Sequence, residues 1–298
     1  MTKKTVSLWV ILVVAGFHQI IMGGTFPIAR IILVQTDPMV VAFFRYCISG
    51  SILCLIAWRI GRRPNVIRIS PRDKKTIILL GFIIVFLNQT VFLIGQRLTT
   101  SAHGGLIFAI TPIFVYLMAM KHLGEVWIPK KGFGIALAVA GSAIIIFENG
   151  IQFKKDLLAG DIVIIIAVVA WAYYTVFGKP LVEKYGALRI TAYTVGAGAL
   201  MYVPVGLFFL LRTDLSHITP AGWWAQIYIS VVTSVIGYSV WFWLVKHMEA
   251  SRAAVLTNIQ PVIAGILGYY ILGEGISNQF VIGGIVILAG VYLTQRAK

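Results

Sequence analysis

Ten apolar runs, each long enough as a helix to cross about 30 Å of hydrocarbon, alternate with short polar connections along the chain. They fall near residues 8 to 34, 38 to 58, 76 to 96, 100 to 120 and 131 to 147, and then near 161 to 178, 188 to 211, 221 to 245, 251 to 272 and 278 to 295. The pattern predicts an all-α integral membrane protein of ten transmembrane helices, five in each half of the chain. Pro27, Pro112, Pro204 and Pro261 fall inside runs, where membrane helices tolerate kinks better than soluble ones do.

The stretch from Ser101 to Glu125 returns half a chain length later. Pro112 lands on Pro261, and Leu123-Gly124-Glu125 lands on Leu272-Gly273-Glu274. Without a gap, the same shift carries Gly134 onto Gly283, Gly141 onto Gly290, Arg30 onto Lys179 and Phe44 onto Tyr193. Residues 1–149 and 150–298 therefore read as two five-helix units. Because five is odd, the second unit starts on the opposite side of the membrane, and the units are inverted repeats.

Basic residues test this independently. The connection after the second run holds Arg59, Arg62, Arg63, Arg68, Arg72, Lys74 and Lys75, whereas its counterpart after the seventh holds Arg212. Lys130 and Lys131 follow the first Leu-Gly-Glu turn, and no Lys or Arg follows the second before the last run. Together with Lys179, Lys184, Arg189, Lys246, Arg252, Arg296 and Lys298, this asymmetry places both termini in the cytoplasm and the protein in the cytoplasmic (inner) membrane as a multi-pass chain.

Composition agrees: 59% of residues are hydrophobic and only 12% charged, far from the roughly 25% charged of a soluble domain. The formal charge of +15 does not imply nucleic acid, because the basic residues sit between apolar runs rather than on one soluble face. Cys47 and Cys54 lie about 10 Å apart along one helix, too far for a disulfide. The amino-terminal MTKKTVSLWVILVVAG has the charge-then-apolar look of a signal peptide, but the run continues without a small-residue cleavage pattern and reads as a retained first span.

These residues resemble the EamA-type repeat of the drug/metabolite transporter superfamily. The resemblance rests on the Pro-bearing fourth span with its Leu-Gly-Glu turn and Gly-rich fifth span, on MGGTF at 22–26, on WAYYTVFGK at 171–179 and on Arg45 after Asp37-Pro38. It covers nearly the whole chain. It implies ten helices in two inverted halves around a central substrate cavity, working by alternating access. Met22 stands where the family often has Trp, which the second repeat keeps as Trp171.

A polar side chain in mid-membrane is costly unless it finds a partner or water. His18 and Gln19 lie near the middle of the first span, where they serve either an interhelical hydrogen bond or the cavity lining. Asn88 and Gln89 are adjacent amides, so at least one should look into the bundle. Asn258 and Gln260 precede Pro261, whose missing N–H is expected to leave the carbonyl near Thr257 unpaired. Tyr173, Tyr174, Tyr193, Tyr238, Trp241 and Trp243 supply aromatic surface in the second half. Tyr238 is the repeat counterpart of Gln89, and with Trp241 it could stack on a flat solute or a cation.

The expected substrate-binding set is thus His18, Gln19, Asn88, Gln89, Tyr174, Tyr238, Trp241, Asn258 and Gln260. Arg45, Pro112 and Pro261 are expected to be structural or gating. The resemblance favours Arg45 bonding carbonyls or fixing its helix over binding substrate, on a stem long enough to snorkel outward. His103 reads as a wetted cap near the end of span four.

Absent chemistry narrows the function. No Asp or Glu lies deep in a span, the nearest being Glu125, Glu148, Asp161 and Glu274 near span ends. If a proton is the coupling ion, His18 is the remaining carrier. No phosphate-binding Gly loop, metal cluster or cofactor motif is present in the sequence. The expected function is secondary active or facilitative export of a small organic metabolite, an amino acid or a related compound. Efflux of drugs or quaternary cations is the alternative, and a non-transporting sensor or enzyme is remote. The partners are the small-molecule substrate and the lipid bilayer, with the oligomeric state, monomer or otherwise, left open.

Overall fold

The computed structural model describes residues 6–62, 67–98, 107–147, 155–263, 266 and 276–297. Every regular element among them is helical. The second Leu-Gly-Glu at 272–274, His103, Glu148 and Lys298 lie outside the described residues. In order the helices are α1 (Leu8–Leu33), α2 (Pro38–Gly61), α3 (Pro71–Phe82), α4 (Val91–Leu98), α5 (Thr111–His122) and α6 (Pro129–Ile146). The second half contributes α7 (Lys155–Tyr185), α8 (Ala187–Leu210), α9 (Pro220–Ile227), α10 (Tyr238–His247), α11 (Ala250–Val255) and α12 (Asn278–Gln295).

Two spans are composite. A π-helical segment, Ile83–Thr90, joins α3 to α4, and another, Tyr228–Gly237, joins α9 to α10. Each of these spans begins in the same way, with a hydroxyl cap followed by proline. Ser70 accepts the Asp73 N–H before Pro71, and Thr219 accepts the Gly222 N–H before Pro220. A capping oxygen with Pro in the first turn satisfies orphan donors and presets the helical φ.

Eight described helical segments are long and apolar enough to cross a membrane, and Ile107–His122 forms a shorter apolar helix. The run at 251–272 is described only in part, as α11, a 3-10 turn at Leu256–Ile259 and the residues up to 263. Large apolar side chains such as Leu200, Phe133 and Ile285 point outward and are exposed. That is an apolar exterior suited to lipid rather than water.

Both prolines at symmetry-related places interrupt their helices, and the freed carbonyls are satisfied by different means. In the first half the helix breaks at a turn at Ile110, and the Thr111 hydroxyl donates to the Phe108 carbonyl that the Pro112 nitrogen cannot reach. In the second half the chain tightens to a 3-10 turn, and the Gln260 N–H donates to the Thr257 carbonyl. The expectation of an unpaired carbonyl at Thr257 is therefore corrected: an i to i+3 bond replaces the lost i to i+4 bond.

Glycine lets two helix pairs approach backbone to backbone. A Cβ on Gly134 would stand 2.8 Å from the Gly290 carbonyl oxygen, and one on Gly141 would stand 2.7 Å from that of Gly283. Gly134 corresponds to Gly283 and Gly141 to Gly290, so the α6–α12 contact exchanges its residues as a pseudo-twofold axis requires. The α2–α8 pair is also close, with a Cβ on Gly50 falling 2.8 Å from that of Ala199. Small residues at such seams trade side-chain volume for main-chain van der Waals contact, the main attraction available between helices in lipid.

Candidate functional site

Arg45 on α2 is buried, at 2% exposure. Its Nε donates to Ser234 Oγ at 2.7 Å, Nη1 to Gln89 Oε1 at 2.7 Å and Nη2 to the Tyr238 hydroxyl at 3.0 Å. The guanidinium thus joins α2 to both π-bearing spans. These three hydrogen bonds go to side chains, so Arg45 neither snorkels to the surface nor works through carbonyls, as the sequence had suggested. Neutral side chains reached from α4's span and α10's span attract it inward instead.

Gln89 passes the network on by donating to Asn88 Oδ1, and Asn88 Nδ2 donates to the Ala167 carbonyl of α7 at 2.7 Å. Both amides face the bundle, and Asn88 is fully buried. Ser234 in turn donates to the Ile229 carbonyl five residues back. That spacing matches the π-helical repeat, and π segments recur at functional sites because they re-aim side chains.

A second polar group forms where α1 crosses the C-terminal half. Gln260 Nε2 donates to Gln19 Oε1 at 3.0 Å, and Gln19 Nε2 lies 3.1 Å from His18 Nδ1. The His18 ring stacks on Trp241 at 5.4 Å between centroids. Trp241 lies 5.4 Å from Trp171, which lies 5.6 Å from Tyr238. A wall of rings therefore links the His18 group to the Arg45 group. The MGGTF segment makes the crossing possible: a Cβ on Gly23 would press on the Gln260 carbonyl at 3.3 Å, and one on Gly24 on the Tyr228 hydroxyl at 2.9 Å.

Three buried residues across the two groups carry side-chain polar atoms with no hydrogen-bond partner among the described residues: Nε2 of His18, both amide atoms of Asn258, and the hydroxyl of Tyr46 beside Arg45. Such atoms normally find partners, and leaving one without costs about 1–3 kcal/mol. They are where a bound solute or water would be welcomed.

Tyr174 is placed differently from its companions. Its hydroxyl lies 3.0 Å from Thr194 Oγ1 and its ring stacks on Phe242 at 4.6 Å. It meets the ring wall through Trp171, its neighbour one turn back. Trp241 also has a fixed edge, its Nε1 donating to Thr175 Oγ1 at 3.1 Å. Pro112 and Pro261 shape the helices without themselves offering a donor. Ser234 and Trp171 are the site residues that sequence reasoning did not select. Serine is cheap in a membrane helix and draws no attention, whereas a tryptophan at that place was visible in the family motif.

An ionic network lies apart from this centre. Lys131 Nζ bonds Glu125 Oε2 and Glu249 Oε2, each at 2.8 Å, and its side chain is 1% exposed. Glu249 also pairs with Arg252 Nε at 2.8 Å, and Ser251 donates its N–H and hydroxyl to Glu125. Arg252 then holds the end of α12 through the Gln295 and Ala297 carbonyls. The first Leu-Gly-Glu turn is thereby latched to the C-terminal half. Burial works to raise the Glu249 carboxyl, but the hydrogen bond and charge of Lys131, with those of Arg252, outweigh it and hold the pKa below the usual value.

Among the described residues no cluster of His, Cys, Asp or Glu could hold a metal ion. Comparison with known proteins supplies a family. The EamA-like transporter family matches twice, over residues 7–147 and 158–296. The chain is similar to an uncharacterized transporter, YyaM, of Bacillus subtilis, at 28% identity over 97% of this chain and 93% of the relative. An uncharacterized transporter of Archaeoglobus fulgidus is also 28% identical, covering 94% and 95%. A probable terminal-alkyne amino-acid exporter of Streptantibioticus cattleyicolor is 25% identical over 92% and 89%. One solved crystal structure superposes with a TM-score of 0.79 over 96% of each chain at 18% identity, a likeness of fold.

Proposed function

The chain belongs to the EamA-like transporter family, and on that premise we propose that it exports an amino acid or a related small metabolite from the cytoplasm by alternating access. Residues 1–149 and 150–298 act as two inverted repeats, and both termini lie in the cytoplasm. The solute binds between the halves, where rocking exposes it to either side in turn. The observation that carries this reading is the hydrogen bond from Gln260 to Gln19. It joins the two halves within the membrane, beside the stack of His18 on Trp241 and near the Asn258 amide, which has no partner among the described residues.

The printed name of the Streptantibioticus relative supports an amino-acid substrate. His18, Gln19, Asn258 and Gln260 supply neutral polar contacts, while Trp171, Tyr238 and Trp241 supply flat apolar surface. The solute leaves chemically unchanged, as transport rather than catalysis requires. If a proton is coupled to the cycle, His18 carries it.

The second reading is efflux of an aromatic or quaternary cation, favoured by the three neighbouring rings of Trp171, Tyr238 and Trp241. Efflux from proteoliposomes across a panel of amino acids, their amines and quaternary cations decides. Amino acids should leave faster than from empty vesicles. A panel in which only cations move would favour the second reading, and one in which nothing moves would refute both.

A further inference from the structure

We propose that Arg45 is the carboxylate-binding residue of the transport site, so that the protein selects solutes bearing one carboxylate over their neutral or purely cationic analogues. This rests on the transport reading above and names the part of the solute that the site recognises.

The position of the guanidinium is the first argument. Its two terminal nitrogens touch Gln89 and Tyr238, at 2.7 and 3.0 Å. These residues occupy the same place in the two halves of the sequence. A group almost equally close to two symmetry-related residues lies on the plane midway between them, which contains the axis relating them. In a transporter built of inverted repeats that axis passes through the solute site, near the middle of the membrane. The α6–α12 seam, whose glycine contacts exchange under the same shift, shows that the relation holds elsewhere in the bundle.

The second argument is charge. Ser234, Gln89 and Tyr238 satisfy hydrogen-bonding directions of the guanidinium, but none neutralises it. A buried cation whose partners are neutral is expensive. The counterpart of Arg45 in the second half is Thr194, which meets the Tyr174 hydroxyl at 3.0 Å. A purely structural hydrogen-bonding role at this level can therefore be filled by a neutral side chain. The guanidinium adds a positive charge between Gln89 and Tyr238, with N–H groups left over beyond its three bonds. A planar fork of donors is matched to a carboxylate. The ring wall of Trp171 and Tyr238 beside it would take the apolar remainder of the solute.

The test uses the full chain in detergent and in proteoliposomes. Each amino acid of the panel is compared with its primary amide and with its decarboxylated amine, by thermal shift and by counterflow. The wild type should bind the carboxylates at least about tenfold better than the matched amides and amines. Gln89→Glu places an internal carboxylate where Nη1 now meets an amide oxygen. It keeps the side-chain size, and its ion pair with Arg45 offsets the lost donation to Asn88 Oδ1, so the variant should fold while losing the carboxylate preference. Arg45→Lys should keep part of the preference, because the charge stays and the fork is lost.

Equal responses to acid, amide and amine in the wild type would overturn the proposal and leave transport standing. A Gln89→Glu protein that still prefers carboxylates would overturn it too. A wild type that responds to no solute would overturn the transport reading and this one together.

Discussion

Removing the charge of Lys131 should cost far more stability than removing that of Glu249, although the two face each other. Lys131 is 1% exposed in its side chain and Glu125 is 7% exposed, whereas Glu249 is 43% exposed. Lys131→Met leaves Glu125 buried with only the Ser251 N–H and hydroxyl for company. Breaking a buried pair by deleting one partner costs about 3–5 kcal/mol, and the Ser251 bonds place this case near the low end. In Glu249→Gln the buried Lys131 keeps Glu125 and the charge removed is half-exposed, so the variant should cost about 1 kcal/mol or less. Adding Glu125→Gln to Lys131→Met removes the stranded charge. The double variant should then be more stable than the sum of the singles by about 1–2 kcal/mol. Equilibrium unfolding in mixed micelles, followed by circular dichroism, measures the cycle. Additivity within about 0.5 kcal/mol, or a Lys131→Met variant no worse than Glu249→Gln, would refute a buried latch.

The acid limb of stability should carry the same signature. The Glu249 carboxyl is held below its ordinary value of 4.5, so its contribution is full above that value and disappears as the pH falls through the lower, folded-state value. Glu249→Gln should flatten the decline below about pH 4.5 in unfolding curves. Two glycines should part company. Gly141→Ala drives a methyl to 2.7 Å from the Gly283 carbonyl and should cost about 1–3 kcal/mol. Gly16→Ala meets nothing within 4 Å and should be neutral or stabilising by about 0.5–1 kcal/mol. Asn258→Leu replaces an amide that has no partner among the described residues with an apolar group of similar size. It should raise stability by about 1 kcal/mol while lowering efflux in proteoliposomes, and a gain or loss in both together would remove Asn258 from the solute site.

The spans were legible because lipid leaves a chain no other way to satisfy its backbone than long apolar helices. The axis was legible because Pro112 with Pro261, and Gly134 with Gly283, are residues whose backbone consequences survive divergence of their neighbours. His18, Gln19, Asn88, Gln89, Asn258 and Gln260 stood out because amides and imidazoles are costly at that depth. Pairing did not show. Nothing local to Arg45 indicates that its Nε meets Ser234, a residue 189 positions away. The π segments leave no periodic mark, since the same apolar residues suit an α-helix. Lys131 and Glu249 look like ordinary loop charges in sequence, because their pairing and the burial of Lys131 depend on the start of α6 meeting the start of α11.

The two copies of the proline-bearing segment show how a duplicated frame becomes locally asymmetric. Each proline removes one N–H and leaves one carbonyl to be satisfied. In the first copy a side chain does this, as Thr111 turns back to Phe108. In the second the backbone does it, as the Gln260 N–H closes on Thr257. That difference leaves the Gln260 side chain free to reach Gln19 on α1 at 3.0 Å. It also leaves Asn258, where the first copy has Ala109, buried with an amide to offer. The central asymmetry follows the same logic, with Arg45 against Thr194 and Gln89 against Tyr238. The shared residues set the helix geometry, and the departures from symmetry bring charge, amide and ring surface together, Arg45 meeting Gln89 and Tyr238 and Gln260 meeting Gln19 beside the His18–Trp241 stack.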